Sequence, residues 1–321
     1  MELYPLKFKP ILKHRIWGGN KLKTLFGKET FRNHNIGESW ELSGLEDSPS
    51  EVINGPLKGN TITQITTKYK DKLLGKRVYE KIGNKFPLLV KLIDAEKDLS
   101  IQVHPDNALA QELHNSFGKN EMWYVMQADD DSEIVVGFNK SYSKKEYVNH
   151  LKENTLLQML NRQKIEEGEV YFIPPGTVHA IGKGILIAEI QQSSDITYRI
   201  FDFDRLDENG HTRELHTQLA LRAIDFNSQD TYKRLYNRDT ENALVCCDYF
   251  TSRLLIIKGS LKRDYTDLDS FVIFLCVRGS VTISTYNSVN KISMGETILI
   301  PSSLKKVELN AQYAELLEIF V

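Results

Sequence analysis

Two histidines, a glutamate and a glutamine are the residues of this 321-residue sequence whose types and spacing best suit metal chemistry. Gln102 and His104 alternate in a β-prone stretch, so their side chains are expected on one face of a strand. Glu121 follows, and His179 ends a strand-and-turn segment that begins at Gly168. Two imidazole nitrogens, a carboxylate and an amide oxygen suit zinc, manganese or iron. We therefore predict one metal site per chain, with a position open to water or substrate.

The segment Gly168-Glu-Val-Tyr-Phe-Ile-Pro-Pro-Gly-Thr-Val-His179 predicts how that histidine is positioned. A glycine, five residues, Pro-x-Gly, two residues and a histidine is the spacing of the second cupin motif. Short β-prone runs bounded by Gly, Asp and Asn occur on both sides, at residues 86–93, 122–126, 133–136, 170–173 and 185–190. They predict a mostly β fold, a cupin jelly-roll β-barrel of antiparallel strands.

Helices are predicted as insertions between these strands. Ser143-Lys-Lys-Glu146 is a capping box that opens a helix with Tyr147 and Leu151 on one face. A second short helix is expected at residues 156–160. Further helical segments are expected at residues 62–74, 107–117 and 216–224.

An internal repeat is the second organising feature. Met294-Gly-Glu-Thr-Ile-Leu-Ile-Pro301 echoes Glu167-Gly-Glu-Val-Tyr-Phe-Ile-Pro174. Counting from the two glycines places Lys306 at the position of His179, and the echoed copy contains no histidine. The second copy is therefore expected to be structural and free of metal.

Length and repeat together predict two domains. Residues 1–240 are expected to form a metal-binding catalytic cupin domain with helical insertions. Residues 241–321 are expected to form a smaller, degenerate cupin-like β domain without metal ligands.

Charge, hydropathy and cysteine content limit the expected partners and location of the protein. Lys and Arg number 41 against 43 Asp and Glu, so neither nucleic acid nor an anionic membrane is expected as a partner. No apolar run approaches the roughly 18 residues of a membrane span, which favours a cytoplasmic protein. Cys246, Cys247 and Cys276 form no C-x-x-C pair and are interpreted as core thiols in a reducing compartment. No oligomeric state follows from these properties.

Further charged residues lie close to the proposed ligands in sequence. Lys119 precedes Glu121 by two residues, and Asp195 and Arg199 flank a short β-prone segment. A solvated loop lysine and a structural ion pair are the alternative interpretations. If these groups point into the metal site, Lys119 and Arg199 supply cations for an anionic or hydroxyl-rich substrate. The remaining histidines have no matching partner pattern and are interpreted as structural: His14, His34, His114, His150, His211 and His216.

Several motifs occur in one order along the chain: Lys13-His-Arg-Ile-Trp-Gly-Gly-Asn-Lys-Leu22, Ile36-Gly-Glu-Ser-Trp-Glu-Leu-Ser43, Gln102-Val-His-Pro-Asp106, Gly118-Lys-Asn-Glu-Met-Trp-Tyr124, Ile173-Pro-Pro-Gly-Thr-Val-His-Ala180 and residues 189–199. Together they resemble type I mannose-6-phosphate isomerase, and the length resembles its short bacterial branch. The resemblance extends from about residue 3 to residue 205.

The resemblance implies a zinc-dependent aldose-ketose isomerase that interconverts mannose 6-phosphate and fructose 6-phosphate through a cis-enediol. It implies one Zn²⁺ per chain, although other divalent metals also suit the ligands. The small phosphorylated sugar is then the partner. The implied metal ligands are Gln102, His104, Glu121 and His179.

The resemblance also assigns roles around the metal. It implies Arg199, Lys119 and Asp195 as catalytic residues, and Glu189, Lys119 and Arg199 as substrate-binding residues. Some relatives carry a histidine beside the pocket lysine, where this chain has Gly118. A mechanism with that histidine as the base is therefore not expected here.

Two other functions suit the same ligands. Two histidines and a carboxylate with open positions also suit a non-haem metal oxygenase. A non-catalytic cupin that binds a sugar phosphate is the other alternative. Lys119, Asp195 and Arg199 favour a phosphorylated sugar over dioxygen chemistry.

Overall fold

The computed structural model describes residues 2–28, 35–207, 209–229, 231–238, 241 and 243–321, so His34 lies outside the described residues. The strands are β1 (Leu6–Lys7), β2 (Ile11–Gly19), β3 (Ile36–Ser43), β4 (Leu88–Ala95), β5 (Ile101–Val103), β6 (Glu121–Ala128), β7 (Glu133–Phe138), β8 (Leu160–Lys164), β9 (Val170–Ile173), β10 (His179–Ile181), β11 (Ile185–Gln192), β12 (Tyr198–Phe201), β13 (Lys233–Arg234), β14 (Ala243–Cys246), β15 (Thr251–Asp264), β16 (Val272–Thr285), β17 (Ser288–Ser293), β18 (Thr297–Ile300) and β19 (Lys306–Phe320). The α-helices are α1 (Lys21–Phe26), α2 (Ile62–Tyr69), α3 (Asp71–Leu74), α4 (Lys76–Ile82), α5 (Asn107–His114), α6 (Lys144–Lys152) and α7 (Thr217–Ala223). Two 3₁₀ helices span Gly55–Leu57 and Leu156–Met159. Within these ranges, no helix is both long and apolar enough to cross a membrane.

The chain divides into two compact units. One, called here the metal-site unit, comprises residues 12–39 and 92–234. The other, the C-terminal unit, comprises residues 1–11, 40–91 and 235–321. The expected boundary near residue 240 lies close to Leu235, but two N-terminal segments also belong to the C-terminal unit.

Two antiparallel sheets build the metal-site unit. One has the order β12-β5-β10-β7-β8, and the other has the order β13-β9-β6-β11-β4-β2-β3, in which β2, β3 and β4 continue beyond the unit. Successive side chains along each strand of the first sheet point to opposite faces of that sheet. Ile134, Val136 and Ile181 join an apolar cluster with Trp123 and Ile187 of the second sheet. The side chains on the opposite face of the first sheet pack with residues of α6 and α7. This mostly β cupin architecture confirms the expected fold class.

The helical predictions hold with two differences. Ser143 and Glu146 form the predicted capping box of α6, and Tyr147 is buried. The stretch 62–74 is two helices instead of one, because Lys70 takes a left-handed φ of 50° between them. The stretch 156–160 is a 3₁₀ turn that leads into β8.

The C-terminal unit contains one sheet, in the order β1-β18-β16-β19-β15-β14, with β17 paired to β16. Its β1 pairs with β18, which explains why the first residues of the chain belong to this unit. All three cysteines are free, but only Cys276 is buried. Cys246 is exposed, so the interpretation of all three as core thiols was wrong.

The predicted repeat is visible in backbone hydrogen bonds. Gly168 N donates to Val125 O and Val125 N donates to Glu169 O. In the C-terminal unit, Gly295 N donates to Cys276 O and Cys276 N donates to Glu296 O in the same pattern. The glycines of the two turns have φ of 87° and 82°, which favours glycine at both positions. The two copies therefore share a glycine turn and its contacts with a neighbouring strand, as well as a sequence motif.

Candidate metal centre

A row of three residues across the five-stranded sheet sets up the site. His179, the first residue of β10, pairs with Gln102 of β5, and Arg199 of β12 pairs with the same Gln102. Residues that pair directly across antiparallel strands project from the same face, with about 4.8 Å between neighbouring strands. The three side chains therefore begin on one face of the sheet.

His104 and Glu121 enter the site from strand ends. His104 follows the last residue of β5, and its carbonyl accepts a hydrogen bond from Gly176 N in the turn before His179. Glu121 opens β6 and pairs with Ile173 of β9. The turn and the two strand ends thus bring three residues that are distant in sequence into one place.

The ligand atoms converge. One donor atom each from His104, Glu121 and His179 lies within 4.8 Å of the others, and all three residues are buried. Each imidazole Nε2 is 3.4 Å from one oxygen of Glu121. The amide nitrogen of Gln102 is 3.3 Å from His179 Nε2, and rotation of the amide presents its oxygen instead. The four predicted ligands therefore lie together.

The histidine tautomers suit metal binding. His104 Nδ1 is 2.8 Å from Ile196 O, and His179 Nδ1 is 2.8 Å from Thr177 O. Because a carbonyl oxygen only accepts, each Nδ1 carries the proton, and each neutral ring directs an Nε2 lone pair toward Glu121. Burial lowers the pKa of His179, although Glu121 opposes that effect, so the neutral ring is favoured.

The environment of Glu121 tests whether these residues suit a metal ion. Both carboxylate oxygens are buried, and neither accepts a well-aligned hydrogen bond from the described residues. Lys119 Nζ lies 2.6 Å from Oε2, as an ion pair outside hydrogen-bond geometry. Lys119 therefore balances the charge of Glu121 without satisfying its lone pairs, which remain available to a metal ion together with those of the two Nε2 atoms. His104, Glu121 and His179 can therefore hold a metal ion.

Residues 5–147 match the family of phosphomannose isomerase type I catalytic domains, and residues 240–319 match the cupin domain of mannose-6-phosphate isomerase. A mannose-6-phosphate isomerase of Bacillus subtilis is 35% identical over 98% of this chain and 98% of its own length. The chain belongs to the type I phosphomannose isomerase family. The mannose-6-phosphate isomerase of Streptococcus mutans is 34% identical over 94% of this chain and 93% of its own length.

Solved structures agree with this family. The crystal structure of mannose 6-phosphate isomerase from Bacillus subtilis covers 99% of this chain and 100% of its own chain, with a TM-score of 0.89 and 32% identity. A variant of phosphomannose isomerase from Salmonella typhimurium shares the fold, with a TM-score of 0.77 and 16% identity over 99% of both chains.

Lys119, which the family resemblance assigns to the substrate pocket, is buried beside the metal ligands. Its Nζ is 2.9 Å from His104 Nε2 as well as 2.6 Å from Glu121. It lies in the segment that precedes β6. Gly118 beside it has no room for a side chain, since a Cβ there would lie 2.5 Å from Asn107 N. This crowding explains the absence of the histidine that some members of the phosphomannose isomerase family carry.

An amide clamp, formed by Asn107, Asn120 and Gln192, fixes the backbone next to Lys119. Gln192 Oε1 accepts from Asn120 N at 3.0 Å and from Asn120 Nδ2 at 2.8 Å, and Gln192 Nε2 donates to Asn107 Oδ1 at 3.1 Å. Asn107 Oδ1 also accepts from Gly118 N at 2.7 Å. The sequence did not predict the clamp, because its three amide residues come from separate segments and share no local sequence pattern.

Arg199 is half-buried in a cationic environment. Its Nη1 donates to Glu214 O at 2.8 Å, and its buried Nε has no hydrogen-bond partner among the described residues. Burial lowers the pKa of Arg199, and the neighbouring Arg213 lowers it further. Both effects favour an added anion close to the guanidinium.

Asp195 and Glu189 are placed differently. Asp195 is exposed, and Arg15 interacts with it electrostatically. Glu189 is buried, and its Oε2 accepts from Trp123 Nε1 at 3.1 Å. The Trp123 ring meets the edge of the His179 ring at 5.5 Å, so Glu189 is connected to the ligands through Trp123.

An ion pair that interacts electrostatically with Asp195 and Arg199 was also missed. Arg15 Nε is 3.0 Å from Glu38 Oε1, and Arg15 Nη2 is 3.2 Å from Oε2. The segments that carry both residues were among the family motifs, but no role was assigned to either residue. The ion pair was not predicted because the two residues are distant in sequence and meet only when β2 and β3 assemble.

Proposed function

We propose that this protein is a metal-dependent aldose-ketose isomerase that interconverts mannose 6-phosphate and fructose 6-phosphate. The observation that carries the proposal is the buried Glu121 carboxylate between two neutral imidazoles in a member of the type I phosphomannose isomerase family. Two cations favour an anionic substrate: Lys119 beside the candidate ligands, and Arg199 on the strand that pairs with Gln102.

We propose zinc as the metal, held by Gln102, His104, Glu121 and His179. Two imidazoles with carboxylate and amide oxygens suit zinc, which takes mixed nitrogen and oxygen ligands. A bound divalent ion would supply Lewis-acid polarisation of the sugar oxygens without a change of redox state.

The residues of the chain supply the rest of the reaction. Moving a proton between C1 and C2 develops negative charge on the sugar oxygens, and the buried Lys119 ammonium lies where it can offset that charge. Arg199 presents a fork of N–H donors suited to the phosphate or the developing oxyanion. Glu189 is held by Trp123 and orients a sugar hydroxyl. Asp195, at the exposed side, orients the substrate or exchanges protons with it.

Isotope exchange tests this proposal directly. The protein is incubated with mannose 6-phosphate in heavy water, with and without a chelator, while fructose 6-phosphate and deuterium at C2 are followed. We expect both to appear without chelator and neither with it, and elemental analysis to give one zinc per chain. Ligand binding without exchange would contradict the proposal and favour a sugar-phosphate sensor.

Substitutions locate the chemistry. Arg199→Ala should lower kcat sharply and leave the metal bound, whereas His104→Ala and His179→Ala should lose metal and activity together. Arg222→Ala is the matched control, because Arg222 is an exposed arginine of α7 that pairs with Glu112. Near-normal turnover in the Arg199 variant would remove its proposed role.

A further inference from the structure

His216, interpreted from the sequence as structural, makes two hydrogen bonds to the backbone of Arg199. His216 N donates to Arg199 O at 2.7 Å, and Arg199 N donates to His216 Nδ1 at 3.1 Å. Because a backbone N–H only donates, Nδ1 accepts, and the proton of the neutral ring is on Nε2. The hydrogen bond from Arg199 N therefore requires an acceptor at the Nδ1 position of residue 216.

These bonds complete an unpaired strand edge. β12 is the outermost strand of the five-stranded sheet and pairs on one side with β5. The N–H and C=O groups on the free side of an edge strand need other partners. His216 provides both a donor and an acceptor for Arg199 and so replaces the missing neighbouring strand at this residue.

The same segment also holds the guanidinium. Glu214, two residues before His216, accepts from Arg199 Nη1 through its carbonyl at 2.8 Å. The segment 214–216 therefore fixes Arg199 at the backbone and at the side-chain tip. The His216 ring lies 6.4 Å from the Tyr198 ring, and Tyr198 OH in turn is 2.8 Å from His114 Nε2.

We propose that His216 is a positioning residue for the isomerisation, which acts by holding Arg199 in place. The inference rests on the proposed function, since it takes Arg199 as a group that touches the substrate. Misplacing a group that binds the reacting substrate by about 1 Å can cost roughly a hundredfold in rate. Loss of the Nδ1 acceptor should therefore lower turnover without removing the metal.

Two variants separate the acceptor from the ring. His216→Phe keeps an aromatic ring and removes the acceptor, and we expect kcat to fall by about 10- to 100-fold with unchanged zinc content. His216→Asn keeps an acceptor near the Nδ1 position, and we expect it to retain at least about a third of the wild-type kcat. If His216→Phe melts at a clearly lower temperature, His216→Ala replaces it in the same comparison with asparagine.

His150→Phe is the matched control. His150 also uses Nδ1 in a hydrogen bond, to Thr155 Oγ1 at 2.8 Å, but it belongs to α6, where its ring packs against Tyr142. We expect its turnover to equal that of the wild type. Equal impairment of the asparagine and phenylalanine variants at position 216, or turnover of His216→Phe within twofold of the wild type, would overturn the proposal.

Coupling to Arg199 is the deciding measurement. In the Arg199→Ala background, His216→Phe should cause no further loss of kcat, because two residues that act as one unit are non-additive. Additive losses would overturn the positioning role while leaving the isomerase proposal intact. A wild-type protein that fails to exchange deuterium would instead overturn the proposed function, and this inference with it.

Discussion

Glu121 in the metal-site unit and Glu318 in the C-terminal unit are both fully buried carboxylates that pair with a cation, but they differ in their hydrogen bonds. Glu318 accepts two bonds from Arg263, at 3.0 and 2.9 Å, and one from Tyr265 OH at 2.5 Å. Burial and Glu318 raise the pKa of Tyr265, which keeps its phenol protonated as a donor. The oxygens of Glu121 accept no such bonds within the described part of the chain. A buried carboxylate with satisfied bonds supports the fold, whereas one without them is suited to bind a cation.

The comparison extends to the ligand positions. Glu121 pairs with Ile173 as Val272 pairs with Ile300, so a buried valine takes the place of the carboxylate in the C-terminal unit. His179 pairs with Gln102, and the first inward residue of β19, Val307, pairs with Arg263. The same strand pairing thus carries an apolar core where the metal-site unit carries the candidate ligands.

The largest expected effects come from removing the charge of each carboxylate. Glu121→Gln should lower turnover by more than about a hundredfold with loss of metal, since even groups that only support metal ligands cost 10- to 100-fold. Its folding stability should fall less than that of Glu318→Gln, because Glu121 accepts no well-aligned hydrogen bonds and only the ion pair with Lys119 is lost. Glu318→Gln should destabilise the protein by about 1.5–3 kcal/mol, the range for hydrogen bonds to charged groups, because Arg263 loses its buried partner and keeps the exposed Glu241. Zinc analysis, isotope exchange and denaturant unfolding measure the three quantities.

The contrast between the two variants is the test. If Glu318→Gln keeps full stability, hydrogen-bond satisfaction is not what distinguishes the two carboxylates. If Glu121→Gln retains a full equivalent of zinc, Glu121 is not a ligand. The proposed difference in function between the two carboxylates would then be wrong.

A satisfied carboxylate also occurs within the metal-site unit. Burial alone would raise the pKa of Asp202, but bonds from Arg213 and Arg205 lower it below the ordinary value. A depressed folded-state pKa stabilises the protein above the pKa of the unfolded state, near 4. That contribution is lost as the pH falls through the folded-state pKa.

We therefore expect Asp202→Asn to be less stable than the wild type at pH 7 by about 1.5–3 kcal/mol, the range for hydrogen bonds to charged groups. The difference should shrink as the pH falls below about 4. Urea unfolding of both proteins from pH 7 to pH 3 gives the two curves. A difference that stays constant over this range would show that Asp202 does not stabilise the fold through its charge.

Local patterns account for what the sequence predicted well. The spacing from Gly168 to His179 reflects one strand and the turn that follows it, and Gln102 and His104 lie at the end of one strand, so both patterns are local in sequence. The Arg15–Glu38 pair and the His216 contacts with Arg199 join segments distant in sequence. No local periodicity encodes such pairs, and they became visible only when the strands were assembled.

The composition of the two compact units also depends on contacts between segments that are distant in sequence. A division at residue 240 assumes that each domain is one continuous segment. Pairing of β1 with β18, and the hydrogen bonds from Lys76 N and Arg77 N to the Asp269 carboxylate, instead place early segments in the C-terminal unit. Only long-range contacts carry that information.

A smaller effect should come from the amide clamp. The clamp fixes the backbone beside Lys119, a residue that the C-terminal copy of the repeat lacks. Gln192→Met keeps the side-chain length but removes the acceptor for Asn120, and we expect about a tenfold loss of kcat with zinc retained. Gln111→Met is the control, because Gln111 bonds Asn115 on the exposed side of α5. Loss of zinc together with activity would show that the clamp holds Glu121 instead of Lys119.

The smallest effect is expected at Lys306, which residue counting placed at the position of His179. Lys306 opens β19 as His179 opens β10, but its side chain is 80% exposed, and Val307 faces the core. The segment from Ile300 to the inward residue is one residue longer than the segment from Ile173 to His179, which shifts the face. Lys306→His should therefore change the stability by less than about 0.5 kcal/mol and bind no second zinc. Val307→His, which buries an imidazole, should cost about 1–3 kcal/mol. Similar stability of the two variants would contradict the one-residue offset.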